Sequence, residues 1–403
     1  MTAILVSHPH AAAVSAGLAA RLADRGKLAG YFTGLAFAEE SWAGQAADRV
    51  ALRYATLRNR IIAGVPPERL RSLAAVEIGS RLAAGLLHGL SSRFAPYNAI
   101  FVSHDRAVSW APWPAETSAV YAYEDGALRT FERAARRGID RIWDLPTPHY
   151  ETTEAIFRGE AARWPDAPLG PPHREPDWKR HRKDAELVLA SQISVASNFT
   201  LRSLDAIDRH APVAVIPYGF PVDDFAPRPR PPSGGFRALS VGAHDIRKGT
   251  PYLLEAWKRA AIPDSELLLV GPLRLAKTFL DRYAGLFRHL PHVPRNALAA
   301  SYAAADLLVF PTLGDGFGLV IQEAMCCGTP VLTTPCGGGP ECITDGVDGW
   351  IAPPRDIDAL VERLRYCASS RDRLFEMGRA ARARAELWTW RDTGAALIKG
   401  LDL

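Results

Sequence analysis

The residues best suited to chemistry lie together in one stretch, Pro311-Thr-Leu-Gly-Asp315-Gly-Phe-Gly-Leu-Val-Ile-Gln-Glu323-Ala-Met-Cys-Cys-Gly-Thr-Pro330. An apolar run ends at Pro311, a glycine-rich loop follows, and a helix is predicted to begin near Leu319. The first turn of a helix presents unpartnered N–H groups and the positive end of its dipole, which together suit a phosphate. Gly316 and Gly318 allow the backbone of Phe317 and Leu319 to approach such a ligand closely. Asp315 in the loop can accept hydrogen bonds from sugar hydroxyls. Glu323 lies five residues beyond Gly318, roughly 7.5 Å along a helix. That is about the span from a pyrophosphate to the ribose of the same nucleotide, and a carboxylate there suits a ribose diol.

A second cluster is Ser240-Val-Gly242-Ala-His-Asp-Ile-Arg247-Lys248-Gly. It reads as strand, turn and amphipathic helix, with two cations at the turn. Arg247 through its fork and Lys248 as a point charge can neutralise a diphosphate.

Together these segments resemble the retaining glycosyltransferases of family four, which have the GT-B fold. The family's paired acids are separated by seven residues, as Asp315 and Glu323 are, although Glu is usual at the first. The resemblance assigns Asp315 to the donor sugar, Glu323 to the ribose, and Arg247 and Lys248 to the leaving diphosphate. Many members carry Arg directly after the glycine, where this chain has Ala243. Leu267-Leu-Leu-Val-Gly271-Pro272 resembles the strand ending at the donor diphosphate, and Val293 occupies the place of the loop that meets the base. Val215-Ile-Pro-Tyr-Gly219 with Asp223 resembles the family's turn out of the first domain. The match covers about residues 185 to 364.

The resemblance implies a donor that is a nucleoside diphosphate sugar, UDP- or GDP-linked, with no metal and no other cofactor. It also implies retention of configuration and an acceptor side in the first domain. There the loop His8-Pro-His10 faces the cleft, and His104 is a further candidate. Many relatives place a histidine where Glu124 and Asp125 stand. These acids either face the reacting sugar or cap the helix predicted from Gly126.

The elements that must hold these residues alternate as short apolar strands and helical patterns, an α/β signature with parallel sheets. Strands are predicted at 3–7, 28–34, 99–104, 119–124, 141–145, 193–197 and 213–218. Helices are predicted at 11–25, 126–137 and 198–208, the last capped by Ser197. Residues 164–176 read as a surface connection. The proline-rich stretch Ala226 to Gly235 reads as a linker. Alternation restarts beyond it, with strands at 236–241, 267–270, 307–310 and 331–334 and a helix at 250–260. The expected organisation is an acceptor-binding Rossmann-like domain over 1–225, a donor-binding one over 226–387, and a last helix, about 388–403, crossing back so that Trp388 and Trp390 are buried.

Composition bounds the rest. The 403 residues exceed what one core accommodates. A net charge of +4 gives no argument for nucleic acid. The opening residues lack signal-peptide features and no long apolar run occurs, so a cytoplasmic protein is expected. Five cysteines make no disulfide framework, and their spacing fits no zinc site. Arginines 49, 53, 58, 60, 69, 71, 81, 93 and 106 outnumber the acids around them, and residues 70–90 read as one amphipathic helix. This raises either a solvated face or contact with an anionic membrane, hence a glycan or lipid-linked acceptor in bacterial envelope assembly. Three rival readings remain. A nicotinamide oxidoreductase lacks its Gly-x-Gly-x-x-Gly after the first strand. A GT-B sugar-nucleotide epimerase would share the donor motifs, and an inactive nucleotide-sugar-binding module would fit Ala243.

Overall fold

Apolar runs of three to seven residues, too short for core helices and buried on both faces, supply the strands of two separate parallel sheets. The computed structural model describes residues 3–10, 12–51, 60–87, 95–170, 173–228 and 234–401. Its strands are β1 (Ala3–Ser7), β2 (Leu28–Thr33), β3 (Phe37–Ala38), β4 (Ile61–Ile62), β5 (Leu70–Ser72), β6 (Thr117–Tyr123), β7 (Asp140–Leu145), β8 (Gln192–Val195) and β9 (Val213–Val215) in the first unit. The second unit has β10 (Phe236–Val241), β11 (Ser265–Val270), β12 (Arg288–Leu290), β13 (Leu307–Phe310), β14 (Val331–Thr333) and β15 (Gly349–Ile351). The seven-stranded sheet runs β5-β2-β1-β6-β7-β8-β9, and the six-stranded one β12-β11-β10-β13-β14-β15. Strand order reverses beside β1 and beside β10. In open parallel sheets such switch points leave a crevice at the carboxyl ends of the strands, where ligands bind. The loops after β1 (His8–His10), β6 (Glu124, Asp125), β10 (Gly242–Lys248) and β13 (Gly314–Gly318) all leave from that end.

Each sheet is covered on both faces. Val6, Leu22, Tyr121 and Ile142 share one core of the first unit; Phe32, Phe131, Trp143 and Val195 share the other. The second unit likewise has one core around Leu253, Leu269, Val309 and Leu364, and another around Leu239, Tyr302, Phe310 and Met325.

Two helices cross between the units. Helix Trp390–Gly400 lays Leu397 and Ile398 into the first unit's core with Leu18 and Leu22. A capping box between Thr389 and Asp392 starts it, and Gly219 admits the backbone of Thr389, whose carbonyl oxygen would lie 2.3 Å from a Cβ at that position. Helix Tyr150–Arg163 is the second, absent from the sequence expectation. It packs Ile156, Phe157 and Ala161 against the second unit's core. Its Glu160 is fully buried and accepts from Tyr252 Oη at 2.6 Å and Arg355 Nε at 2.7 Å.

Several sequence expectations need correction. Residues 99–104 are not a strand but the middle of helix Pro96–Trp110. Its buried positions Ala99, Ile100, Phe101, His104, Asp105 and Val108 recur with helical spacing, and Pro96 at its start supplies a fixed φ. Residues 70–90 are not one helix: β5 takes Leu70–Ser72, a helix runs Ala74–Leu87, and 88–90 lie outside the described residues. The helix after Ser197 stops at Arg202, and β9 stops at Val215. Arg53, Arg58, Arg93 and linker positions 229–233 also lie outside the described residues. The cysteines are unpaired thiols, four of them buried.

Candidate functional site

The loop after β13 and the turn after β10 face each other and are joined by charge. Lys248 Nζ donates to Asp315 Oδ2, and Lys248 also passes 5.0 Å from the centre of the Phe310 ring. Burial pushes the Asp315 carboxyl up, but Lys248 and then Arg247 outweigh it and hold the group below its ordinary value. Asp315 is therefore a fixed carboxylate, with its own N–H given to Cys336 O at 2.9 Å. Arg247 turns away from that pair: its Nη1 donates to Gly314 O and its guanidinium lies 5.9 Å from the Phe157 ring centre. Asp245 fixes the turn by accepting from the Lys248 N–H at 2.8 Å.

Helix Leu319–Cys326 starts at Gly318, whose left-handed φ of 84° no side-chain-bearing residue adopts cheaply. No side chain caps it, so the amides at its start are open to a ligand. Glu323, one turn further on, is buried and accepts from Tyr302 Oη at 2.8 Å. Tyr302 is a partner that sequence reasoning missed. Gly242 and Gly271 take φ of 135° and 124°, and a Cβ on Gly271 would sit 2.1 Å from Gly242 O. A Cβ on Gly242 would meet nothing within 4 Å, so this turn opens onto free space. Pro272 O accepts from the His244 N–H at 2.9 Å, which ties the loop after β11 to the turn after β10. Val293, half-buried, packs against one core of the second unit.

The glycine loop is also bound to the first unit. Gly316 O accepts from Ser197 Oγ at 2.6 Å and Thr200 Oγ1 at 3.1 Å. Glu341 accepts from Asn198 through both its N–H and its amide, at 2.7 and 2.9 Å. Gln322 Nε2 donates to Tyr218 O. Ser197, foreseen only as a helix cap, thus does two jobs: it accepts from Thr200 N and donates across the cleft.

The first unit's acids do not cap the helix that follows them. Neither Glu124 nor Asp125 caps helix Leu128–Arg136. That role belongs to Glu186, whose Oε1 accepts from Ala127 and Leu128 N–H at 3.0 Å, and to Asp105, which accepts from Arg129 and Thr130 N–H at 2.9 Å. Glu186 takes two more bonds, from the Asp125 N–H and Trp143 Nε1. Burial pushes its carboxyl up to about 8, although Arg182 and these converging donors oppose the shift. Asp125 sits at a φ of 69° and pairs with Lys179 at 3.1 Å. Glu124 pairs with Lys183 at 3.2 Å and accepts from Thr147 Oγ1 at 3.1 Å; its carboxyl is raised by burial in spite of Lys183. Glu124 Oε1 has the Lys183 ion pair as its contact, and Asp125 Oδ1 has no hydrogen bond.

These cations come from helix Asp177–Leu189, which buries Lys179, Arg182, Lys183 and Glu186. Spacing of three, one and three puts all four on one helical face. That is the signal by which a sequence reading could have found them, because it is the pattern normally sought in apolar residues.

His104 does not reach the cleft. It is buried in helix Pro96–Trp110, 3.2 Å from Ser7 Oγ, and burial lowers its value to about 3. His8 holds the turn after β1 through the His10 carbonyl, at 2.6 Å, and stacks edge-on with Tyr123 at 4.5 Å. Burial lowers it to about 4. His10 is half-buried against Phe101, also lowered, first by burial. Both are neutral near pH 7.

Between the units lies a pocket of about 240 Å³, walled by Thr147, Tyr150, Phe157, Lys183, Arg247 and Arg274 among others. It adjoins Glu124 through Thr147 and Lys183, and the Asp315 loop through Arg247.

Residues 235–370 match the family model described as "Glycosyl transferases group 1". The D-inositol 3-phosphate glycosyltransferase of Arthrobacter sp. (strain FB24) is 28% identical over 285 residues, 65% of this chain and 66% of that protein. The GDP-mannose-dependent alpha-(1-6)-phosphatidylinositol monomannoside mannosyltransferase of Mycolicibacterium smegmatis is 30% identical over 239 residues, 53% of this chain and 62% of that protein. The matched parts therefore span about two thirds of these relatives or slightly less. Among solved structures, sucrose-phosphate synthase from Thermosynechococcus elongatus aligns over 99% of this chain and 98% of its own, with a TM-score of 0.70 at 17% identity. Anabaena HepE, in complex with UDP and glucose, aligns over the whole of both chains with a TM-score of 0.62 at 15% identity. Residues 235–370, with the paired acids and the cationic turn, thus form a group 1 glycosyltransferase domain, and the two facing parallel-sheet units have the GT-B fold.

Proposed function

We propose that this glycosyltransferase moves a sugar from a UDP- or GDP-linked donor to an acceptor hydroxyl, with retention of configuration and without a metal. The observation that carries this reading is the Lys248–Asp315 pair at the mouth of the uncapped helix Leu319–Cys326. A diphosphate there meets the open amides at residues 318–320 and the Lys248 ammonium, so charge on the leaving group is stabilised without reorganisation. Asp315, held ionised, accepts from donor-sugar hydroxyls, and Glu323, steadied by Tyr302, accepts from the ribose. The acceptor oxygen bonds to the anomeric carbon as the bond from that carbon to the diphosphate breaks. The acceptor proton passes to the departing phosphate, so no protein nucleophile is required.

The acceptor side falls to the first unit, where Glu124 stands by the cleft. Its surface supports an acceptor presented at an anionic membrane during envelope assembly. Helix Ala74–Leu87 exposes Ile78, Leu82 and Leu86, one apolar row at four-residue spacing, and Trp110 on the helix packed beside it is 88% exposed. Arg106, Arg136 and Arg137 line a surface hollow together with Trp110 and Glu132. Arginines beside an exposed tryptophan and an apolar row suit the headgroup boundary of an anionic bilayer. Among the described residues no helix is long and apolar enough to cross a membrane, so contact would be peripheral.

The testing experiment is thermal stabilisation by UDP, GDP, ADP and their sugar conjugates, on wild type and Glu323→Ala. A ligand at a hundred times its dissociation constant adds about 2.7 kcal/mol. A shift with one base that the variant loses supports the donor site, and no shift with any nucleotide refutes it. Product analysis with the stabilising donor then separates transfer from epimerisation or from binding alone. Flotation with anionic liposomes at low salt tests the membrane contact, and protein left at the bottom of the gradient removes it.

A further inference from the structure

We infer that the pocket between the units is an anion site for the acceptor, and that the acceptor carries a phosphate group held by Arg274 and Arg247. The inference rests on the transfer reading, because it gives the pocket to the second substrate. Three observations carry it. First, the pocket, about 240 Å³, is built from both units, with Thr147, Tyr150, Thr153 and Phe157 on one wall and Asp245, Arg247 and Arg274 on the other. It therefore exists only when the units meet, as a site for a second substrate should.

Second, its two guanidinium groups have no carboxylate partner among the described residues. Arg247 spends one N–H on the Gly314 carbonyl and meets the Asp315 carboxylate through its field, without an ion pair. Arg274 is exposed at the pocket rim, with only its backbone engaged, N–H to His244 O at 2.9 Å. Third, the carboxylates on the wall are already committed. Glu175 is held by Lys179 and Lys183, each at 3.3 Å, and Asp245 accepts from the Lys248 N–H. Lys248 is paired with Asp315, and Lys183 with Glu124 and Glu175, so among the described residues Arg247 and Arg274 are the cations of the wall without an ion pair. Two guanidinium groups lining one walled space fit the oxygens of a phosphate better than a neutral sugar.

The phosphate can sit on a polar carrier or on a lipid, so the test uses both. Melting temperatures are measured with glucose 6-phosphate, unphosphorylated glucose and dioctanoyl phosphatidate at about 10 mM, a concentration that registers millimolar sites. Each is added alone and over a saturating nucleotide, to wild type and to Arg274→Gln. Arg274 is exposed, so its replacement leaves both cores intact. The expected result is a rise of roughly 2 °C or more with one phosphorylated probe and none with glucose. That rise disappears in Arg274→Gln while the nucleotide shift stays. Whichever carrier shifts more names the source. The inference is overturned if neither phosphorylated probe shifts wild type, or if Arg274→Gln loses the nucleotide shift, which would give these cations to the donor. If no nucleotide stabilises wild type, the transfer reading fails separately, and the probes added alone still report on the pocket.

Discussion

Gly316 is where the donor loop touches the first unit most closely, and one methyl group there separates donor binding from catalysis. A Cβ at Gly316 would lie 1.7 Å from Pro146 O and 3.0 Å from the Thr147 Cα. Both neighbours are backbone, so no side chain can swing aside. The residue's own φ is not left-handed, so alanine fits the loop conformation and only the approach to Pro146 is lost. An ordinary C···O contact of about 3.3 Å requires the units to part by about 1.6 Å. The two bonds to Gly316 O, at 2.6 and 3.1 Å, cannot survive that displacement. At about 1 kcal/mol each they disfavour the joined arrangement by about 2 kcal/mol, roughly thirtyfold in its population. Misplacement of the reacting groups gives a comparable figure by a separate route, since about 1 Å can cost about a hundredfold. Gly316→Ala is therefore expected to lower kcat by roughly thirtyfold to a hundredfold. Nucleotide affinity should stay within about threefold, because Lys248, Gly242 and Glu323 all lie in the second unit. Steady-state donor consumption and calorimetric nucleotide binding measure the two quantities. Ser197→Ala, which removes one bond without a clash, should show a smaller loss in the same direction. A near-wild-type kcat in Gly316→Ala would refute the claim that this contact belongs to the active arrangement. A parallel loss of nucleotide affinity would show the damage to be local to the donor loop.

Asp105→Ala leaves Arg182 buried without one of its carboxylates and uncaps two N–H groups, so about 3–5 kcal/mol of stability should be lost in chemical denaturation. His104, neutral when folded, binds its proton near pH 3 there against 6.5 when unfolded, so it contributes stability that is full above pH 6.5 and is lost as pH falls toward 3. Replacing it with glutamine, which can still reach Ser7, should flatten the fall of melting temperature between pH 6.5 and 4.5; an unchanged slope would contradict this. Glu124→Gln keeps the shape of the acid but removes its charge beside the cleft, and should cut kcat by about tenfold to a hundredfold with nucleotide affinity unchanged. An unaffected kcat would leave Glu124 a purely structural partner of Lys183.

The donor half was legible because its chemistry and its fold use the same residues. Gly242, Gly271 and Gly318 take positive φ at the ends of strands and at a helix start, so turn and site share one sequence signal. The strands β10, β11, β13 and β14 are near-continuous apolar runs flanked by such turns, which a helix of core length could not mimic. In the first half the signals separate. Ala-Ile-Phe-Val at 99–102 is apolar enough for a buried strand, and only the positions beyond it, His104, Asp105 and Val108, restore a helical period. Two of those three are polar, so the period was masked. The same masking hid helix Asp177–Leu189, whose inward face is Lys179, Arg182, Lys183 and Glu186. A charged face reads as solvated unless the opposing charges are known, and here Glu175 is nearby but Asp105, Glu124 and Asp125 lie far back in the sequence.

That buried network explains how an acid can stand where relatives place a histidine. A lone carboxylate at Glu124 would be driven to protonate by its surroundings. Lys183 supplies the compensating charge, and Lys183 is in turn shared with Glu175. The chain reversal that presents Glu124 depends on Asp125 in a left-handed conformation, unfavourable for a residue with a side chain. Glu186 holds that conformation by taking the Asp125 N–H, while Arg182 binds the Asp125 carbonyl. Helix Asp177–Leu189 thus fixes the turn at one end and neutralises the acid at the other. Lys183 also lines the interunit pocket, so an anion entering there competes with Glu124 and Glu175 for the same ammonium. Binding of an anion in that pocket and the charge state of Glu124 would therefore be coupled through that one side chain, a link a histidine in the same place would not make.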